Sequence, residues 1–336
     1  MLLFLQVFVC FLLVIAVGMQ LSHSADVVAE KTGLGRSWVG ALLLSGVTSL
    51  PELATGVSAV VVLNAPDLAV GGILGSCMFN LLILGLLDIF SGPEPLLKRA
   101  PVSHGLAASL GCAMLGVTAA GMLLTSSGIN LTLAWVGIPS LLLILLYWVS
   151  ARTIALFETR RRAAILEVEA EALQYQHIGR KRAYLNFAFF SVATVLLGVW
   201  LAFLGDQVAT VTGLGQSFIG ALLLAGATSL PEVVVSVESM RMNAVEMAVS
   251  NIFGSNLWNL AILGIYDLVY LQGNLWLQIN PVHLFTAIVA MIMTSVAIAG
   301  LIYHAVSRSR MYVNVTWDGL ILIALYMGGM YIIYRN

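Results

Sequence analysis

Charged residues make up only 9% of this 336-residue chain, and hydrophobic residues make up 60%. A soluble domain carries about 25% charge, so the composition excludes a water-soluble globule, and a mean hydropathy of +0.99 marks a polytopic membrane protein. Cysteine is nearly missing too. Cys10, Cys77 and Cys112 are odd in number and set in apolar surroundings, which argues against both a disulfide framework and a thiolate zinc site. No Lys or Arg occurs between residues 37 and 97 or between 183 and 240. A carboxylate in either stretch therefore has no cationic partner on its own or its flanking segments. None precedes the first apolar run, MLLFLQVFVCFLLVIAVG, either. A cleaved signal peptide would carry one, and the run has a counterpart 180 residues on, with Gly18 matching Gly198 and Asp26 matching Asp206. It is expected to stay as a transmembrane helix.

What is present is a motif that occurs twice. Residues 32–53, TGLGRSWVGALLLSGVTSLPEL, and residues 212–233, TGLGQSFIGALLLAGATSLPEV, agree at 16 of 22 positions. Each copy buries Thr-Ser-Leu-Pro-Glu in an apolar run, so Glu52 and Glu232 are expected at membrane depth, where an ionisable residue is functional by default. Thr48 and Ser49 precede Glu52 by four and three residues and share its helix face, as Thr228 and Ser229 do for Glu232. Pro51 and Pro231 cannot donate to the carbonyls of Val47 and Ala227, so each helix should kink and free backbone oxygen beside its carboxylate. Gly40, Gly46, Gly220 and Gly226 suit close helix packing.

A second pair of motifs follows at an offset of 179: GGILGSCMFNLLILGLLD at 71–88 and SNIFGSNLWNLAILGIYD at 250–267. Ser76 and Asn80 are spaced i, i+4, as are Ser255 and Asn259, which points a hydroxyl and an amide in one direction. Together these groups offer the 6 to 8 oxygen ligands that calcium takes. With no Lys or Arg nearby, a bound cation or a proton must neutralise the two glutamates. The structural alternative is a satisfied polar network that locks helices together.

The expected fold is all-α, with ten transmembrane helices as two inverted-topology repeats of five. Spans of about 20 residues fall near 2–24, 36–62, 68–90, 102–124, 130–151, 184–206, 216–240, 247–271, 282–304 and 315–334. Residues 1–151 form the first half and 184–336 the second, joined by a charged, amphipathic connector at 152–183. Placing the connector in the cytoplasm puts 14 of 15 basic residues inside and both termini outside, in the plasma (inner) membrane. Five spans per half is odd, so the halves insert oppositely, which is typical of secondary transporters with a midplane site. Asp26, Asp88, Asp206 and Asp267 recur at span ends and are read as helix-end contacts, and Trp135 and Trp276 as interfacial anchors.

The paired T-S-L-P-E and G-S-x-x-x-N motifs in two such halves resemble the alpha-repeats of the cation/calcium exchanger superfamily, particularly its sodium/calcium exchanger branch. The resemblance implies an ion site at Thr48, Ser49, Glu52, Ser76, Asn80, Thr228, Ser229, Glu232, Ser255 and Asn259, with the carbonyls of Ser45 and Ala225. It also implies that spans 1 and 6 slide as a gate. The chain departs from the family pattern at Gly71-Gly72 and Gly75-Ser76-Cys77, which lack two side-chain amides. The expected function is a secondary active antiporter exchanging Ca2+ for Na+, with a proton-coupled or K+-dependent cation/Ca2+ exchanger as the alternative. No catalytic residue, cofactor or nucleic-acid partner is expected; the partners are inorganic cations and the lipid bilayer. An intramembrane hydrolase is disfavoured because no nucleophile with an oriented base accompanies the glutamates, and a passive channel has no need of inverted halves.

Overall fold

The structure, a computed structural model, describes residues 2–91, 94–166, 174–211, 226–306 and 316–335. The principal helices are α1 (Leu2–Thr32), α2 (Arg36–Val61, interrupted), α3 (Pro66–Ile89), α4 (His104–Ser126), α5 (Ile138–Leu166), α6 (Arg180–Val211), α7 (Leu230–Arg241), α8 (Val245–Val269), α9 (Val282–Val306) and α10 (Trp317–Arg335). Eight of the described helices are long and apolar enough to cross a bilayer. Within α10 the apolar stretch is shorter, Trp317–Ile333, and residues 216–225 of the seventh expected span lie outside the described residues.

The structure corrects two boundaries. The fifth span was expected from residue 130, but a small antiparallel ribbon, β1 (Thr132–Leu133) with β2 (Val136–Gly137), occupies the approach, and the helix starts at Ile138. That helix then runs to Leu166, past the expected span end at residue 151, so Arg160, Arg161 and Arg162 continue it into the connector. An i, i+3 pair between Glu158 and Arg161 at 3.2 Å supports the extension.

Helix α8 is the hub. It packs against α2, α3, α4, α5 and α7, and 78% of its apolar window is buried within the protein, against 17% for α1. Close approach to α2 depends on glycine, since a Cβ at Gly40 would overlap Ser250 and one at Gly254 would overlap Ala41 O. Helix α1 lies mainly along α6, and this pair faces outward.

The two motif pairs turn alike. Asn64 before α3 and Asn243 before α8 both take left-handed backbone, φ 50° and 57°, a conformation that asparagine tolerates better than most residues. Ala65 N–H closes the first turn on Ala59 O, and Ala244 N–H closes the second on Ser239 O. The second turn is one residue shorter, and this is where the offset drops from 180 to 179.

Of the four repeated aspartates, three make helix-end contacts. Asp88 accepts from Leu96 N–H at 2.9 Å, Thr316 N–H at 2.8 Å and Thr316 Oγ1 at 2.6 Å. Asp267 accepts from Leu275 N–H at 2.8 Å, Gly137 N–H at 2.7 Å and Ser140 Oγ at 2.6 Å. Asp26 is held by Arg36 and by Tyr175 Oη at 2.9 Å. Burial and the Asp26 charge push the Tyr175 hydroxyl up to about 12, so Tyr175 remains a donor that ties the connector to α1. Asp206 is exposed. Trp276 is no interfacial anchor: it is buried, and its Nε1 donates to Ser140 Oγ at 2.7 Å.

Candidate functional site

Helix α2 is broken in the middle. A π-helical stretch, Val39–Leu44, is followed by one turn at Ser45–Thr48, and the helix restarts at Leu50 with Pro51 in its first turn. The break falls at Ser49, whose φ of −88° and ψ of 1° leave helical geometry, and Ser229 in the second copy has φ −88° and ψ 6°. Each restart is a helix N-terminus inside the protein. Glu52 and Glu232 sit in the first turns of those restarted helices, where the macrodipole favours negative charge. Pro51 and Pro231 lie in the first turns of these restarted helices, which place a positive helix end beside each carboxylate.

The two halves cross at this level. Ser229 Oγ donates to Glu52 Oε1 at 3.0 Å, and Ser49 Oγ donates to Glu232 Oε1 at 3.3 Å. Each carboxylate is therefore held by the serine of the opposite motif. Thr228 also contacts Glu52, and Thr48 contacts Glu232. Ser229 Oγ lies 3.1 Å from Ser76 Oγ, which brings α3 into the cluster. All of these side chains are buried.

The hydrogen bonding is incomplete. Among the described residues, Glu52 Oε2, Glu232 Oε2, Ser255 Oγ, Asn80 Oδ1 and both amide atoms of Asn259 are buried with no hydrogen-bond partner. A buried polar group left unpaired costs about 1–3 kcal/mol and more when charged, so these six atoms leave the network unfinished and make the cluster a candidate place for a ligand. No ion pair among the described residues reaches either glutamate, as the charge-free stretches of sequence imply. Among the described residues no cluster of three His, Cys, Asp or Glu exists. The donor set is two carboxylates with hydroxyl and amide oxygens, which suits hard cations rather than zinc.

Not every expected ligand is free. The Ser45 carbonyl already accepts from Ser49 N–H at 3.0 Å and from Thr48 Oγ1 at 3.2 Å, and the Ser45 hydroxyl donates to Ala41 O. Ala225 lies outside the described residues. Two residues near the site were not singled out from sequence. Asn256 accepts from Asn80 Nδ2 at 3.0 Å and donates to Cys77 O at 3.2 Å, bracing α3 against α8. Tyr266 donates to the Glu52 carbonyl at 2.7 Å, its ring over Gly56. Asn256 occupies the position matched by Cys77, so the departure at Cys77 was the available clue.

The sequence profile described as sodium/calcium exchanger protein matches residues 2–155 and 183–335. An uncharacterized membrane protein of Methanocaldococcus jannaschii is 25% identical over 305 residues, 89% of this chain and 87% of that protein. The sodium/calcium exchanger MaX1 of Methanosarcina acetivorans is 30% identical over 127 residues, but this covers only 38% of the chain and 33% of MaX1. The inner membrane protein YrbG of Escherichia coli is 27% identical over 266 residues, 75% of each chain. In structure the chain is similar to the sodium-calcium exchanger NCX_Mj, with a TM-score of 0.70 over 99% of both chains at 18% identity, a likeness of fold.

Proposed function

The chain belongs to the sodium/calcium exchanger protein family, and from that premise we propose that it is a secondary active antiporter exchanging Ca2+ for Na+ by alternating access. Family and fold are those of a membrane transporter of cations, not of an enzyme. The observation that carries the finer reading is the crossed pair Ser229–Glu52 and Ser49–Glu232, with the second oxygen of each carboxylate buried and open.

A cage of formal charge −2 that no Lys or Arg among the described residues pairs accepts one calcium, or two or more sodium ions, through the same oxygens. Loading one species expels the other. Moving the empty cage through an occluded state would carry two bare carboxylates, at several kcal/mol each, so movement requires a load. Exchange is then obligatory. The ligands in this proposal are Thr48, Ser49, Glu52, Ser76 and Asn80 with Thr228, Ser229, Glu232, Ser255 and Asn259, drawn from two inverted halves of five spans. The matched Asp88 and Asp267 contacts and the matched asparagine turns support that symmetry. For the moving element we take α1 with α6, which pack on one another and cross the motif helices at small residues, Gly18 against Val234 and Gly198 against Pro51.

Calcium uptake into sodium-loaded proteoliposomes, with potassium and pH clamped, tests the reading. Uptake is expected to follow the sodium gradient and to vanish in Glu52→Gln and in Glu232→Gln. Uptake driven only by a potassium or proton gradient would replace sodium as the coupling ion, and full exchange by either variant would refute the site.

A further inference from the structure

The two halves diverge over the one to two helical turns that follow the glutamates. Along α7, toward the end that carries Arg241, Glu232 is followed by Ser236 and Ser239, and Asn251 precedes Ser255 by four residues on α8. All three of these added residues are fully buried. Asn251 Nδ2 donates to Ser236 Oγ at 3.3 Å, and its Oδ1 is buried with no partner among the described residues. Ser239 Oγ lies 2.9 Å from Ser22 Oγ of α1, and both contact Val235 O. The repeat offsets relate Ser236, Ser239, Asn251 and Ser22 to Gly56, Ala59, Gly72 and Ala202. Four polar positions in one half thus correspond to four glycines and alanines in the other, where the Tyr266 ring lies over Gly56.

We propose that a half-turn of the Asn251 amide, which brings Oδ1 in place of Nδ2 beside Ser236 Oγ, lets these two oxygens form an ancillary coordination point for a monovalent alkali cation, between the central carboxylates and the face of the protein that carries Arg241. The proposal rests on the transport reading above. Asn251, Ser255 and Asn259 are spaced i, i+4, i+8 on α8, each with an open polar atom, so the point continues the central row of ligands by one turn. Its oxygens are all neutral. A divalent ion gives up its water to carboxylates, whereas a neutral amide and hydroxyl suit an ion of lower charge density. Asn256, the other amide of the same motif, is fully paired and is no part of this point.

The test is 22Na+ binding to the purified full-length protein. Glu52→Gln/Glu232→Gln is expected to keep a residual, weak sodium binding that disappears when Asn251→Ala is added. Ser236→Ala, a smaller change, should reduce it. A double variant that binds no more sodium than the triple variant overturns the proposal, provided both elute as monodisperse protein; if Asn251→Ala does not, the Ser236→Ala comparison decides. In oriented proteoliposomes of otherwise native protein, Asn251→Ala should raise the sodium half-saturation at the Arg241 face about fivefold, the effect of one lost neutral contact, and by less than about twofold at the opposite face. An equal shift at both faces would show a merely structural role. Residual binding in a protein without sodium-driven calcium flux would defeat the exchange reading and leave this coordination point standing.

Discussion

Asp88 and Asp267 are buried carboxylates at helix ends, and Glu52 and Glu232 are buried carboxylates at helix starts, yet the two pairs are finished differently. Each aspartate accepts from two backbone N–H groups and a hydroxyl, with both of its oxygens engaged. Each glutamate has one oxygen bound by a serine of the other half and one that no described residue pairs. Burial alone therefore does not distinguish an ion site from a brace. On the proposed reading, the open oxygen does.

The comparison is most exposed to Asp88→Asn and Asp267→Asn. An amide turned toward two N–H groups and a hydroxyl loses charge-assisted bonds, and we expect a loss of about 3 kcal/mol in stability for either change, read from thermal or denaturant unfolding in detergent. Glu232→Gln should move stability little or upward in the same assay, because it removes a buried charge that no Lys or Arg among the described residues pairs. If the glutamine variant were the less stable of the two, the glutamates would be braces as well. Smaller effects belong to the amides. Asn80→Ala and Asn259→Ala should keep partial exchange with calcium half-saturation raised about fivefold, the scale of one neutral contact; an unchanged half-saturation would remove them from the ligand set.

The repeated motif made the central site legible in sequence, because duplication, helical spacing and the missing Lys and Arg all act locally. The partners of the aspartates were not legible. Thr316 lies 228 residues from Asp88, and Ser140 lies 127 from Asp267, so only the fold brings them together. The ribbon at Thr132–Gly137 read as the start of a span because its residues are largely apolar, and hydropathy is blind to backbone direction. The π-helical stretch at Val39–Leu44 has no composition of its own; the glycine within it, Gly40, was visible, but the surface of α8 that it meets was not.

Calcium titration of the purified protein, with sodium as competitor, bears most directly on the two open oxygens. The native protein should bind about one calcium per chain, the charge that two carboxylates neutralise, sodium should displace it, and Glu52→Gln and Glu232→Gln should each abolish binding while remaining folded. Calcium binding of native affinity in either folded variant would contradict the account.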